Sequence, residues 1–90
     1  MFTYYSLNMQ TIKSQSLLDS EAINALSVDL AQQIAQVEFK GGRKYTYRDV
    51  AKGAIQGLLD NTKQSIGAWV NNNCVDGENT SFVYGYELYA

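Results

Sequence analysis

The segment QIAQVEFKGGRKYTYR, Gln33 to Arg48, admits few conformations. Ala35, Val37 and Phe39 alternate with Gln36, Glu38 and Lys40, the period-two pattern of a half-buried strand. Beyond the Gly41-Gly42 pair, Tyr45 and Tyr47 alternate in the same way with Lys44, Thr46 and Arg48, so two antiparallel strands joined by a tight turn are predicted. The position of the turn decides which side chains share a face. A turn of Gly41 and Gly42 alone sets Phe39 against Lys44 and Glu38 against Tyr45, which mixes apolar and charged groups on each face. A loop of Gly41, Gly42 and Arg43 sets Phe39 opposite Tyr45 and Val37 opposite Tyr47. Lys40, Lys44, Glu38, Thr46 and Arg48 then gather on the other face. This register agrees at every position and is the expected one.

The rest of the chain fits around that hairpin. Glu21 to Asp29 carries Ile23 and Ala25, then Leu26 and Val28, a phase change between Ala25 and Leu26 that predicts a strand with a bulge. Gln10 to Asp19 is weakly patterned and reads as a connector with a short helical turn. Asp49 is expected to cap a helix from Val50 to Asp60, with Val50, Ala54, Ile55, Leu58 and Leu59 as its apolar stripe. Gly53 and Gly57 within it are expected to let the helix lie close on the sheet. Thr62 or Ser65 begins a second helix that turns Ile66, Trp69 and Val70 inward, and Asp76-Gly77 marks a turn. Aromatic strands are predicted at both termini, one within residues 2–8 on the run FTYYSL (Phe2 to Leu7) and one within residues 80–89 on the run SFVYGYELY (Ser81 to Tyr89). The fold class is therefore α+β: an antiparallel β-meander followed by two helices, with extra N- and C-terminal aromatic strands. Ninety residues make one domain, 1–90.

Composition narrows the chemistry. With no histidine and a single cysteine, Cys74, the chain lacks the usual zinc ligand sets and any internal disulfide, so no metal or cofactor is expected. Acid–base work near neutrality would fall to shifted carboxylates or lysines, and no pair of carboxylates shares a predicted face, which argues against an enzyme. In NNNCVDGEN a calcium loop fails, because Cys74 and Val83 stand at ligand positions. Cys74 itself reads as a small buried apolar residue. Neither a signal peptide nor a membrane span is recognisable, so a cytoplasmic protein is expected; the Asn79-Thr80-Ser81 glycosylation pattern carries no weight without a secretory route.

The net charge of −2 conceals a dipole. Lys40, Arg43, Lys44, Arg48 and Lys52 are five of the seven basic residues and share their stretch with Asp49 alone. This patch is the candidate for phosphate or single-stranded nucleic acid. In the expected register the cations lie opposite Tyr45 and Tyr47, whereas a single-strand binder needs charge and rings on one surface. The other candidate is a protein interface. Phe2, Tyr4, Tyr5, Phe82, Tyr84, Tyr86 and Tyr89 are seven of the eleven aromatics, all in the terminal strands. Tyrosine favours interfaces, and an uncovered sheet edge invites another strand.

From about Ser20 to Asn71 the chain resembles the KTSC domain, a module at the C-terminus of some lysyl-tRNA synthetases that also occurs as stand-alone bacterial and phage proteins. The matching residues are Ser20-x-x-Ile23, Val28-Asp29, Val37-x-Phe39, Gly42, Tyr45-x-Tyr47, Val50, Leu58-Leu59 and Ser65-x-Gly67-x-Trp69-Val70-Asn71. Ala51 stands where the family usually has proline, and the connection between the helices is slightly longer. The resemblance implies a three-stranded meander followed by two helices in a core of about 20–73. Its synthetase context implies RNA binding, and its stand-alone members imply a phage-encoded protein, in a virion or acting on a host factor. The expectation taken forward is a non-catalytic module that binds itself or a protein partner through the terminal strands, with nucleic-acid binding at the 40–52 hairpin as the alternative.

Overall fold

The computed structural model describes residues 9–77 and 80–84, without the side chains of Val83 and Tyr84. The predicted Phe2–Leu7 strand, and with it Phe2, Tyr4 and Tyr5, lies outside the described residues, as do Tyr86 and Tyr89. Among the described residues the elements are β1 (Gln10–Thr11), α1 (Gln15–Leu18), β2 (Ile23–Asp29), β3 (Ile34–Phe39), β4 (Lys44–Arg48), α2 (Lys52–Asp60), α3 (Ile66–Val70) and β5 (Ser81–Tyr84). A π-helical turn, Asn71–Val75, continues α3. The five strands form one antiparallel sheet in chain order, so the fold is α+β and built on a meander. β5 extends that meander by pairing with β4, Tyr47 opposite Phe82 and Tyr45 opposite Tyr84.

Two registers differ from expectation. In β2 the shift falls between Ile23 and Ala25, making Asn24 the extra residue one step earlier than predicted. Ile23 and Leu26 therefore both reach the core, while the Asn24 amide donates to Glu38 Oε2 at 3.1 Å. In the hairpin, Phe39 N–H donates to Arg43 O at 2.8 Å and Gly42 N–H to Phe39 O at 3.0 Å. The loop is Lys40-Gly41-Gly42, and the pairs are Val37 with Tyr45 and Ala35 with Tyr47. The physical reason lies in the backbone. A three-residue hairpin loop turns through positive φ at its last position, which suits Gly42 and would strain Arg43. Gly41 and Gly42 have φ of 99° and 96°. The slip moves partners by two positions, so each side chain keeps its predicted face.

One face of the sheet carries the core. Ile12, Ile23, Leu26, Val28, Ala35, Val37 and Tyr47 form a single buried cluster with Val50, Ile55, Leu58, Ile66, Trp69, Val70 and Cys74. Hydrogen bonds fix the helices to one another. Trp69 Nε1–H donates to Ala54 O at 3.0 Å, joining α3 to α2, and Ile66 N–H donates to Ser16 Oγ at 2.9 Å, joining α3 to α1. Ser65 caps α3 by accepting from Ala68 N–H. Asp49 does not cap α2: the N-cap is Ala51, without a side-chain bond, and Asp49 turns the chain through φ 58°. Gly53 and Gly57 are exposed, and a Cβ added at either would meet open space, so they are not packing glycines. The opposite face of the sheet is expected from the alternation to be polar and solvated. Its centre is polar, as Thr11, Ser27, Gln36 and Thr46 stand side by side across four strands, but Gln36 and Thr46 are buried.

Candidate interaction surface at the hairpin end

The aromatic residues of β3, β4 and β5 meet toward the hairpin end of the sheet. Strand alternation puts Phe39, Tyr45, Tyr47 and Phe82 on the core side. Tyr47, deepest of these, is buried beside Cys74. Phe39 and Tyr45 are half-buried, and Phe82 is 60% exposed. Tyr45 is the hub: its ring centroid lies 5.6 Å from Phe39 and 5.1 Å from Phe82, both in edge-on geometry, and 6.0 Å from Tyr47. Edge-to-face packing of this kind holds rings at fixed angles. Val75, 52% exposed on the π-helical turn, closes the far wall of a groove of about 290 Å³.

Arg43 also lines this groove. Because it pairs with Phe39 instead of sitting in the loop, it belongs to the tyrosine face, which corrects the expectation that the hairpin cations all lie away from the rings. Lys44 and Arg48 do occupy the other face, opposite Glu38 of β3 and Ser81 of β5 respectively. Lys40 is exposed in the loop and Lys52 is exposed at the start of α2. The five basic residues are therefore divided among two sheet faces, a turn and a helix end. Of the expected interface residues, only Phe82 has a described side chain, and Tyr84 enters through its backbone register. Sequence reasoning misses Val75, Phe39 and Arg43 as members of the surface. Arg43 was legible, since placing Gly42 in the αL loop position moves Arg43 into the strand; Val75 was not, because the π-helical turn that presents it has no sequence signal.

The ionisable groups beneath the groove are inert. Burial pushes the Cys74 thiol up from 9.0 to about 12, which removes the thiolate needed for nucleophilic chemistry. Burial, with Cys74 and Tyr45 as further causes, raises the Tyr47 phenol to about 12. Among the described residues, no three Cys, Asp or Glu side chains stand close enough together to hold a metal ion. No helix among them is long and apolar enough to cross a membrane. Comparison with family models, curated proteins and solved structures yields no match to this chain.

Proposed function

We propose that this chain is a non-catalytic protein–protein interaction module that associates with a second copy or a partner protein through β5 and the groove beside it. The observation that carries this reading is Phe82: a large ring, 60% exposed on the last described strand, next to half-buried Tyr45 and exposed Val75. Exposed apolar side chains scattered singly are ordinary, whereas a ring, an aliphatic wall and an arginine around one groove have the composition of an interface core and its rim. β5 itself, Ser81–Tyr84, carries no charge that would repel a pairing strand. A cytoplasmic setting, in a bacterium or a phage-infected cell, suits this reading, and a place in a virion is compatible with it. Mass in solution by light scattering tests it. The wild type is expected above the monomer mass of 10.0 kDa, and Phe82→Ser, at an exposed site that spares the core, is expected to return it to the monomer.

Single-stranded nucleic acid is the second reading, and Arg43 favours it. A cation shares the face of Tyr45 and Phe82, the pairing of charge and ring that base stacking uses. Titration of a fluorescent oligonucleotide at two salt concentrations separates the readings. A monomer with salt-sensitive binding that Arg43→Glu abolishes overturns the protein interface; an oligomer that binds no oligonucleotide removes the alternative.

A further inference from the structure

The hairpin groove holds two polar groups without a partner among the described residues. At its rim the Arg43 guanidinium is exposed and makes no hydrogen bond or ion pair with a described residue. Deeper in the lining Tyr47 is 5% exposed, and its hydroxyl makes no hydrogen bond with a described residue either. A buried tyrosine hydroxyl ordinarily has one. Because the phenol is raised to about 12, it keeps its proton and can donate it. The side-chain atoms sealed from solvent without a partner are Asp29 Oδ2, Gln32 Nε2 and Gln36 Nε2. The Tyr47 hydroxyl is not one of them, so a ligand can reach it.

We infer that the groove recognises an acidic side chain of a partner protein, with Arg43 and Tyr47 as donors to its carboxylate, together with an apolar side chain two residues away in the same extended segment. Both unpartnered groups donate, and no Asp or Glu lines the groove to oppose an anion. A carboxylate accepts from both. The apolar side chain meets Phe82, Tyr45 and Val75, of which Phe82 and Val75 are exposed. Arg43 precedes Tyr45 by two residues, about 7 Å along a strand, and side chains two apart on an extended peptide share a face at that same spacing. Single-stranded nucleic acid fits less well. Its backbone binds where several cations neutralise neighbouring phosphates, and Arg43 is the one cation in this lining among the described residues. Phe39 and Phe82 pack at 72° and 75° to Tyr45, which does not make parallel platforms for successive bases. The inference rests on the interaction-module reading and adds the chemistry of the partner.

The full chain is titrated with the N-acetylated, C-amidated tripeptide leucine-serine-glutamate and followed by amide resonances in NMR, with leucine-serine-glutamine as the uncharged isostere. Shifts are expected at Arg43, Tyr45, Val75 and Phe82, with the glutamine peptide bound roughly tenfold more weakly, the loss of a charge-assisted hydrogen bond. Arg43→Gln is expected to bring the glutamate peptide down to the level of the glutamine peptide and to leave the latter unchanged. Tyr47→Phe keeps the ring in the core and is expected to weaken the glutamate peptide roughly fivefold. Equal binding of the two peptides overturns the inference, as does an Arg43→Gln loss shared by both, unchanged binding in Tyr47→Phe, the absence of shifts at tens of millimolar probe, or a single-stranded oligonucleotide that shifts these residues where the tripeptide does not. Light scattering keeps the two readings apart. Association that Phe82→Ser abolishes, with the two peptides bound equally, sinks this inference and leaves the interface; glutamate-selective binding by a strict monomer supports the inference and removes self-association.

Discussion

The two ends of the β3–β4 pair reach positive φ by different means. At the hairpin, glycines take it, with φ of 99° and 96° at Gly41 and Gly42. At the far end Gln33 and Asp49 take it, both at 58°, where an L side chain costs about 1–2 kcal/mol relative to glycine. The relaxed end adjoins an aromatic groove of about 290 Å³, and the strained end presents one carboxylate beside a polar recess of about 480 Å³. A surface that works through contact area tolerates small displacements, so its turn needs only to close. At the strained end the backbone is held instead by Gln33, whose carbonyl accepts from Val50 N–H at 3.0 Å and whose Nε2–H donates to Val50 O at 3.1 Å.

Raising the pH has the largest predicted effect, because Tyr47 and Cys74 lie between the two ends and loosening them releases both. The Cys74 thiol is raised from 9.0 to about 12 and the Tyr47 phenol from 10.0 to about 12. Each group is neutral when protonated, so the unfolded chain gives up these protons first. The stability they contribute is fully present below about pH 9 and is lost as the pH rises toward 12. Urea midpoints at pH 8, 10 and 11 should fall in that order, and Cys74→Ala should flatten the fall. A level profile would mean that the two groups are wet.

Valine at Gly42 is next in size. With φ at 96° and nothing within 4 Å of an added Cβ, the penalty belongs to the backbone alone, and about 2–3 kcal/mol is expected. The urea midpoint measures it, and a loss below about 0.5 kcal/mol would show that the loop had rebuilt itself around another register. At the strained end the sign of a familiar comparison should reverse. Gln33→Ala removes the bond to Val50 O and costs about 1 kcal/mol, whereas Gln33→Gly loses the same bond and relieves the φ of 58°. The glycine variant is therefore expected to be the more stable of the two. If alanine is better, Gln33 is not strained and the contrast between the ends disappears.

How much of this is readable in the sequence depends on whether position or pattern carries the information. Alternation in Gln33–Arg48 gives both strands and the face of each side chain in them, and it survives the slip of the loop because the slip is even. Ile66, Trp69 and Val70 repeat at helical spacing and are all buried. The loop itself reads one residue too late when side-chain chemistry is weighed above the φ preference of its last residue. Asp49 reads as a helix cap for a related reason: aspartate suits both an N-cap and αL, and only the Gln33–Val50 bonds, between residues 17 apart, select the second. Burial of Gln36 and Thr46 has no local signal, since polar residues on the second face of a sheet ordinarily meet water. The aromatic groove is half-legible: Phe82 and Tyr45 stand in strands that the alternation predicts, but their meeting depends on β5 adding beside β4.

The smallest effect separates glycines that are used from one pair that is not. Gly53 and Gly57 lie in α2, where φ is helical, and the sequence suggests that both bring the helix close to the sheet. An added Cβ at either would meet nothing within 4 Å. Their side of the helix is exposed, while Ile55 and Leu58 face the core. Alanine there keeps every contact and removes backbone freedom from the unfolded chain, so each substitution should stabilise by about 0.5–1 kcal/mol. The gains should add, because the sites share no partner. The same substitution at Gly41 or Gly42 should destabilise, although the space around those residues is equally open. Four thermal melts thus separate conformation from crowding as the reason for a glycine. Destabilisation by Gly53→Ala or Gly57→Ala would mean that this face of α2 is covered in solution, and would add it to the surfaces on which a partner is sought.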